Sequence, residues 1–378
     1  MSRFPALSVA ANRVPASIFA RLREHLARFP GDVIPLQIGD THLAPASSLG
    51  EIPWAELGAT DLYAYGAPAG WAPLVEAIVA KARAKNRLVI DEHGVQIACG
   101  ATHALSCAVQ ALCDHDEELI LLTPHWPLIK GMAIGHGVVP VEVGHTNALE
   151  AAVTPRTSAI YVATPNNPDG TMLGPQEIDA IARVAERHDL WILADEVYED
   201  YVYDAAHVSI ATHPSAASRT VTVFSFAKSY AQAGLRVGYA LAPPAVAAAI
   251  KKLVNHSVYN VPVAMQRAAL GALRAGEPFL AAARERYGAA RDRAVARLHA
   301  PAATPPGAAY LWVDFSRWSG ADCLPVLERI AEQGVLLAPG SAFGDACTQF
   351  ARLCFTGVDE QRLDEGIDRI NAVLAAWR

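Results

Sequence analysis

Ser225-Phe226-Ala227-Lys228 and Gly234-Leu235-Arg236-Val237-Gly238 lie between or at the ends of two short β-rich segments, residues 221–224 and 237–241. Both segments are mostly apolar, which is typical of strands that are buried on both faces of a sheet. The polar side chains between them therefore follow the end of a strand, where ligands collect in sheets that are covered by helices. The same alternation of strand and helix patterns extends back along the chain to about Gly94.

Residues 94–238 alternate β-rich runs with helical patterns. Because parallel strands are joined by helices, this order predicts a three-layer α/β fold, with a mainly parallel sheet between two layers of helices. The predicted strands cover residues 95–98, 118–122, 138–143, 158–163, 190–194, 221–224 and 237–241. The predicted helices cover residues 101–112, a segment that starts near 127, and residues 175–188.

The rest of the chain has a different pattern, which predicts a smaller α+β domain. Residues 277–299 form one long helical pattern that ends before the proline-rich cluster 301–306. Further strands are predicted at 310–315, 335–337 and 352–355, and further helices around 324–333 and 361–377. We therefore divide the chain into an N-terminal arm with part of the small domain (1–44), a large domain (45–279) and a small C-terminal domain (280–378).

Composition and charge narrow the class of protein. The 378 residues are 52% hydrophobic and carry a formal net charge of −7, which argues against nucleic acid or an anionic membrane as the main partner. We find neither the apolar run of a signal peptide nor a segment long enough to span a bilayer. The six cysteines form no C-x-x-C pair and lie mostly in apolar stretches, so we interpret them as reduced residues of a cytoplasmic protein.

Lys228, Ser225 and Arg236 form a pattern that suits a cofactor with an aldehyde and a phosphate. A lysine amine forms Schiff bases with aldehydes, whereas hydroxyl and guanidinium groups suit a phosphate. The pattern resembles the cofactor-lysine segment of class I/II aminotransferases, which belong to the fold-type I family of pyridoxal phosphate (PLP) enzymes. The resemblance implies that Lys228 holds PLP as a Schiff base, with Ser225 and Arg236 at the phosphate.

Two further motifs resemble ring-binding segments of the same family. Ala194-Asp195-Glu196-Val197-Tyr198 matches the A-D-E-x-Y motif. The match implies that Asp195 keeps the pyridine nitrogen protonated and that Tyr198 donates to the ring 3-oxygen. Thr164-Pro165-Asn166-Asn167-Pro168-Asp169-Gly170 resembles N-P-x-N-P-T-G, which places Asn167 at the same oxygen. Each motif also has a purely structural interpretation, because an aspartate after a strand often caps a helix and Asn-Pro and Asp-Gly often mark turns.

The residues after the first predicted strand resemble the phosphate-binding turn of the family. Gly100, Ala101 and Thr102 open a helix there, and the backbone N–H groups at a helix N-terminus favour a negative charge. Pro124-His125-Trp126-Pro127 resembles the P-x-[WY]-P segment, which implies that Trp126 stacks on the face of the cofactor ring. A tryptophan that simply packs in the core is the alternative.

Tyr65, five residues before Gly70, resembles the tyrosine of the Y-x-x-x-x-G element of the family. In that family the tyrosine reaches the phosphate of the cofactor in the other subunit. The resemblance therefore implies a homodimer with shared active sites. Tyr63 is an alternative for the same role, and either ring could simply pack.

Two segments resemble those that bind the substrate α-carboxylate. Ala351-Arg352-Leu353-Cys354-Phe355 resembles the late R-[IL]-x-F strand, in which the arginine holds the carboxylate with two parallel hydrogen bonds. Gln37-Ile38-Gly39-Asp40 resembles an N-terminal L-x-x-G-E/D element, and Gly39 with Asn167 completes the substrate contacts that the resemblance implies. The alternative for Arg352 is a solvated residue at the edge of a sheet.

The resemblance implies an aminotransferase that moves an amino group from an L-amino acid to a 2-oxo acid, with the Lys228 amine carrying the proton. The same scaffold supports lyase, decarboxylase and cyclase reactions on amino acids, and we keep these as the alternative. We do not favour a regulatory protein with an aminotransferase-like domain, since the residues before Gly39 leave no room for a DNA-binding module.

The sequence does not specify the amino donor. We expect selectivity for the substrate side chain to come from residues 13–18, from a loop at 255–262 and from the vicinity of Tyr65. Thr102 stands where some aspartate-using relatives carry lysine. Arg13 is a candidate for binding a distal carboxylate, and a surface role is the alternative.

Overall fold

The computed structural model describes residues 6–16, 19–44, 57–58 and 63–377. Ile18, at the end of one segment expected to set selectivity, lies outside these ranges. Residue 45, where the large domain is predicted to begin, lies outside them as well.

A seven-stranded sheet forms the centre of the fold, after a two-residue strand β1 (Ile34–Pro35). Its strands are β2 (Val95–Ala98), β3 (Glu118–Leu122), β4 (Val139–Val143), β5 (Thr157–Ala163), β6 (Trp191–Asp195), β7 (Thr220–Ser225) and β8 (Gly238–Leu241). All seven predicted strands are confirmed, with ends that differ by at most one residue. The spatial order is β2-β8-β7-β6-β5-β3-β4, and only β8 runs antiparallel to its neighbours. The prediction of a mainly parallel sheet is therefore correct.

Helices cover both faces of this sheet, because successive strand residues point to opposite sides. Leu193 of β6 packs in one apolar cluster with Leu105, whereas the preceding residue, Ile192, packs in another with Ile181. The three-layer arrangement is thus confirmed. The main helices of this part of the chain are Ala72–Ala84, Gly100–Leu112, Pro127–Gly135, Pro175–Arg187, Pro244–Ser257 and Val263–Ala275.

The expected loop at 255–262 is partly helical, which corrects the sequence analysis. Asn255, His256 and Ser257 form the last residues of the helix Pro244–Ser257, and the next helix begins at Val263. The helix continues this far because no glycine or proline occurs between residues 245 and 261 to end it earlier.

The C-terminal part of the chain builds a second, smaller sheet. Its strands are β9 (Tyr310–Asp314), β11 (Ala338–Pro339) and β12 (Phe350–Cys354), in the antiparallel order β11-β12-β9, while β10 (Val335–Leu336) pairs in parallel with β1. The helices here are Glu277–Arg297, Leu324–Ala331 and Glu360–Ala375. One apolar cluster joins Leu22, Ile34 and Leu36 to residues of this part, up to Leu374. The domain limits themselves stay a prediction. Within the described ranges, no helix combines the length and the apolar composition needed to cross a membrane.

Candidate active site

A cavity of about 240 Å³ lies at the carboxyl ends of β5, β6 and β7. Eleven of the thirteen predicted site residues line it, although they come from segments far apart in the sequence. These eleven are Gly39, Ala101, Thr102, Trp126, Asn167, Asp195, Tyr198, Ser225, Lys228, Arg236 and Arg352. Gly100 lies directly beneath Arg236. Tyr65 is outside the cavity of its own chain.

Lys228 is held in the short helix Phe226–Ser229, directly after β7. Ser225 caps this helix by accepting a hydrogen bond from the Ala227 N–H at 3.1 Å. The Lys228 side chain donates to the Gly39 carbonyl. Burial lowers the pKa of Lys228, the charge of Asp40 opposes this, and the cations Arg352 and Arg236 add to the lowering. A lowered pKa favours the neutral amine, which is the form that acts as nucleophile and base.

Asp195 ends β6 and is buried. Its Oδ2 accepts a hydrogen bond from the Tyr161 hydroxyl at 3.0 Å, and its Oδ1 accepts one from the Val197 N–H at 3.4 Å. Burial raises the pKa of Asp195 to about 6, and the two hydrogen bonds oppose this rise. A turn rather than a helix follows Asp195, so the structural alternative of a helix cap lacks a helix to cap.

Tyr198 is buried and its hydroxyl is hydrogen-bonded to that of Tyr310. The two rings meet edge to face, with their centroids 5.6 Å apart. The Lys228 Nζ lies 6.0 Å from the centroid of the Tyr198 ring. Tyr198 is therefore close to the lysine on which the predicted chemistry depends.

Arg352 forms one wall of the cavity and is buried, not at a solvated edge. Its Nη1 donates to Asn167 Oδ1 at 2.7 Å, and its Nη2 donates to the Gln37 carbonyl at 2.6 Å. The guanidinium carbon lies 4.3 Å from the centroid of the Tyr310 ring. The Nε of Arg352 is buried without a hydrogen-bond partner among the described residues. Because an unpaired buried donor costs free energy, a ligand oxygen bound here would remove that cost.

The turn before the helix Gly100–Leu112 is packed closely against β8. A Cβ at Gly238 would lie 2.6 Å from the Ala101 nitrogen, and Gly100 has a positive φ of +77°. A Cβ at Gly100 would lie 2.5 Å from Nη2 of Arg236. The guanidinium and the N-terminus of a thirteen-residue helix are thus side by side, which suits a phosphate group.

Trp126 lies in the cavity wall immediately before the helix Pro127–Gly135. The buried His125 ring contacts the Trp126 carbonyl through Nδ1 at 3.1 Å and Oε1 of Glu142 through Nε2 at 3.2 Å. Glu142 also accepts a hydrogen bond from Lys130 at 2.8 Å. The hydrogen bond from His125 and the one from Lys130 lower the pKa of Glu142 to about 2, so this carboxylate stays charged. The backbone at Trp126 is therefore anchored by a charged network.

Tyr65 projects from the surface, with 83% of the residue exposed. Its ring lies 4.6 Å, centroid to centroid, from that of Tyr259. Tyr63, the alternative, is 86% exposed. The rings of Tyr65 and Tyr259 therefore form an exposed aromatic pair. Exposed apolar groups that lie together are typical of surfaces that contact another chain.

Sequence reasoning missed three contributors to this site. Tyr310 lines the cavity and touches both Tyr198 and Arg352, the Gln37 carbonyl holds Arg352, and Tyr161 binds Asp195. The sequence placed Tyr310 and Tyr161 on predicted strands, but it contained no signal for their neighbours, since the register between strands is set only in the folded sheet.

A family model described as aminotransferase class I and II matches residues 33–370. The chain belongs to this family. The aspartate/prephenate aminotransferase of Thermus thermophilus is 33% identical to it over 325 residues, which cover 82% of this chain and 83% of that protein. An arginine–pyruvate transaminase of Pseudomonas aeruginosa is 34% identical over 294 residues, which cover 74% and 75%. The solved structure of the Thermus thermophilus aspartate aminotransferase with maleate matches with a TM-score of 0.90 and 30% identity, over 98% of this chain and 100% of that one.

This aminotransferase therefore transfers amino groups, and its cofactor is PLP, as in the family. The prediction of fold-type I architecture is confirmed, and the comparisons give no support to the lyase, decarboxylase or cyclase alternative. The residues present fit PLP, because the cavity combines a lysine, a buried carboxylate and an anion-binding turn beside an arginine. Among the described residues, no group of three or more His, Cys, Asp or Glu side chains could hold a metal ion.

Proposed function

We propose that this aminotransferase performs its reaction in the cavity at the ends of β5, β6 and β7. The observation that carries the proposal is that Lys228, Asp195 and Arg352 line this one cavity although they are far apart in the sequence. Each offers a different chemistry, namely an amine, a buried carboxylate and a fixed guanidinium. Transfer of an amino group requires all three, to carry the cofactor, to tune it and to hold the substrate.

Different residues would hold the cofactor at its phosphate, at its ring face and at its ring oxygen. The turn Gly100, Ala101 and Thr102, with Ser225 and Arg236, would bind the phosphate, supported by the close packing of that turn on β8. Trp126 would stack on the ring. Asn167 and Tyr198 would donate to the ring 3-oxygen, and both are buried in the cavity wall.

Lys228 would carry the cofactor and then act as the base. PLP, when bound, supplies an electron-withdrawing ring that stabilises negative charge on the substrate α-carbon. The Lys228 Nζ would take the proton from that carbon, which requires the neutral amine. Burial and the cations of Arg352 and Arg236 favour this form by lowering the pKa of Lys228.

Asp195 would keep the ring nitrogen protonated, because a carboxylate beside a pyridine nitrogen stabilises its charged form. With a pKa of about 6, Asp195 is ionised at neutral pH even before a positive ring nitrogen lies beside it. In the cofactor-free protein Asp195 gains a proton as pH falls through about 6, and a protonated ring nitrogen beside it would lower this pKa.

Arg352 would hold the substrate α-carboxylate, together with Gly39 and Asn167. Support comes from the guanidinium, which is fixed by Asn167, by the Gln37 carbonyl and by the Tyr310 ring before any substrate arrives. Such preorganisation lowers the entropic cost of binding.

Assays of amino donors against 2-oxoglutarate and pyruvate test this assignment of the site. We expect the wild-type protein to convert at least one donor to its 2-oxo acid, and Lys228→Ala to convert none. Lys251→Ala, which removes an exposed lysine outside the cavity, is the matched control and should retain full activity. Normal activity of Lys228→Ala would show that the reaction takes place elsewhere.

We propose further that the protein is a homodimer with shared active sites. The exposed pair Tyr65 and Tyr259 supports this proposal, since Tyr65 lies at the surface and does not line the cavity of its own chain. A cytoplasmic location is proposed on the strength of six free cysteines, five of them buried. The domain limits 1–44, 45–279 and 280–378 are also kept as a proposal.

A further inference from the structure

Tyr161 is a fully buried tyrosine in the inner strand β5, beside Asp195 on the central strand β6. In the register of these parallel strands, Tyr161 lies opposite Leu193, and Ala163 lies opposite Asp195. Side chains two residues apart on a strand point to the same face, so Tyr161 and Asp195 share one face of the sheet. The Tyr161 hydroxyl donates to Asp195 Oδ2 at 3.0 Å, and neither residue is more than 5% exposed.

The ring of Tyr161 packs among apolar side chains. This packing explains the aromatic ring but not its hydroxyl group. Its cluster includes Leu105, Leu119, Leu193 and Val223. A phenylalanine or leucine would fill the same kind of space, whereas a buried hydroxyl is tolerated only with a hydrogen-bond partner. The partner that the structure gives this hydroxyl is Asp195, the carboxylate that we assign to the cofactor ring.

We propose that Tyr161 is a positioning residue for the reaction, whose hydroxyl fixes the orientation of the Asp195 carboxylate and favours its charged form. The inference rests on the proposed role of Asp195. In this proposal Tyr161 contacts neither substrate nor cofactor and acts only through Asp195.

The groups around Asp195 show why this hydroxyl matters. The Val197 N–H lies farther from the carboxylate, at 3.4 Å, than the Tyr161 hydroxyl at 3.0 Å. Burial and the charge of Glu196 favour the protonated acid, whereas the hydrogen bonds and the charge of Lys228 favour the carboxylate. Burial also raises the pKa of Tyr161 well above its usual value, so the hydroxyl keeps its proton and remains a donor. Removing it should therefore raise the pKa of Asp195.

Tyr161→Phe in the full chain tests the inference, because it removes the hydroxyl and keeps the ring. We expect the dissociation constant of PLP to rise about twofold at neutral pH and up to about tenfold at lower pH, because the lost hydrogen bond raises the pKa of Asp195 by about one unit and lowers its ionised fraction. PLP affinity should weaken as pH falls, and in the variant this weakening should begin at a pH higher by about one unit. Titration of the cofactor-free protein with PLP, followed by absorbance, measures both quantities without an activity assay.

Tyr203→Phe is the matched control. It removes a tyrosine hydroxyl that donates to the Ala308 carbonyl at 2.7 Å and does not contact Asp195. The control should leave PLP affinity and its pH dependence unchanged. A Tyr161→Phe protein with a lower unfolding temperature but a wild-type pH dependence of PLP binding would reduce Tyr161 to a packing role and overturn the inference.

PLP titration of the Asp195→Asn variant distinguishes the role of Tyr161 from the proposed role of Asp195. If Asp195→Asn binds PLP as tightly as the wild type across the pH range, the role of Asp195 is wrong. If Asp195→Asn weakens binding and Tyr161→Phe does not, only the inference on Tyr161 is wrong. If both are right, Tyr161→Phe should add no further shift of the pH dependence in the Asp195→Asn background.

Discussion

Arg352 shows how the fold fixes a side chain that is usually mobile at the surface. Its strand β12 is flanked by β9 and β11, and Tyr310, Asn167 and the Gln37 carbonyl hold the guanidinium from three sides. The conformational entropy of a long side chain is thus lost during folding and need not be lost again on binding.

We expect Arg352→Ala to raise KM for the amino donor at least about tenfold and to lower kcat/KM. Losing one partner of a charged pair in a site shielded from water costs about 2–5 kcal/mol. Arg352→Lys should restore this only partly, because an ammonium cannot present two parallel N–H groups. Steady-state kinetics measures the effect, and the PLP content of the purified variant serves as the control. A variant with wild-type KM, or one that fails to retain PLP, would show that Arg352 does not bind the substrate carboxylate.

The site residues that the sequence predicts are those that belong to short local motifs. Asp195 and Lys228 stand in short motifs next to strand ends, and the structure places both in the cavity. Tyr161 and Tyr310 belong to no such motif. Their function depends on contacts 34 and 112 residues away, to Asp195 and Tyr198, which only the register of the folded sheets determines.

Among the elements, the contact between β8 and the turn formed by Gly100, Ala101 and Thr102 depends on the absence of a side chain at Gly238. A Cβ there would lie 2.6 Å from the Ala101 nitrogen, and both groups belong to backbone that cannot move independently. We expect Gly238→Ala to introduce strain of about 1–3 kcal/mol and to raise the dissociation constant of PLP about fivefold or more.

The matched control for this prediction is Gly234→Ala, four residues earlier. Apart from its chain neighbours, no atom of the described residues lies within 4 Å of the Cβ position of Gly234, and its φ is not positive. Its PLP affinity, measured by the same titration, should equal that of the wild type. Equal affinity in Gly238→Ala and Gly234→Ala would mean that the packing of the turn on β8 does not shape the phosphate site.

The seven strands of the large sheet were predictable as elements because most are short apolar runs bounded by polar or turn-forming residues, whereas the two-residue strands β1 and β11 were not predicted. The antiparallel direction of β8 was not predictable, since the pattern of an apolar strand is the same whichever way the strand runs. β8 is antiparallel to β7 because the connection between them contains only the short helix Phe226–Ser229 and a 3-10 turn, whereas a parallel return needs a long crossover helix.

At the scale of the whole molecule, we expect active sites that are shared between two subunits. A mixed dimer of one Tyr65→Phe subunit and one Lys228→Ala subunit contains one site with both changes and one with neither, if Tyr65 acts on the other subunit. Such a dimer should therefore recover up to half of the wild-type activity. Activity assays on mixed dimers, purified with two different affinity tags, measure this recovery.

Tyr63→Phe is the control for this experiment and should by itself keep wild-type activity, since Tyr65 alone is assigned to the phosphate. Sedimentation of the wild-type protein establishes whether a dimer forms at all. An active monomer, or a mixed dimer no more active than the Tyr65→Phe homodimer, would contradict the shared site.

Chemical labelling identifies the lysine to which the cofactor is attached. The protein purified with PLP is reduced with borohydride, digested, and its peptides are mapped by mass spectrometry. We expect the pyridoxyl group on Lys228, since this lysine lies in the cavity with a pKa lowered by burial and by neighbouring cations. A label on any other lysine, with Lys228 unmodified, would contradict the assignment of the active site.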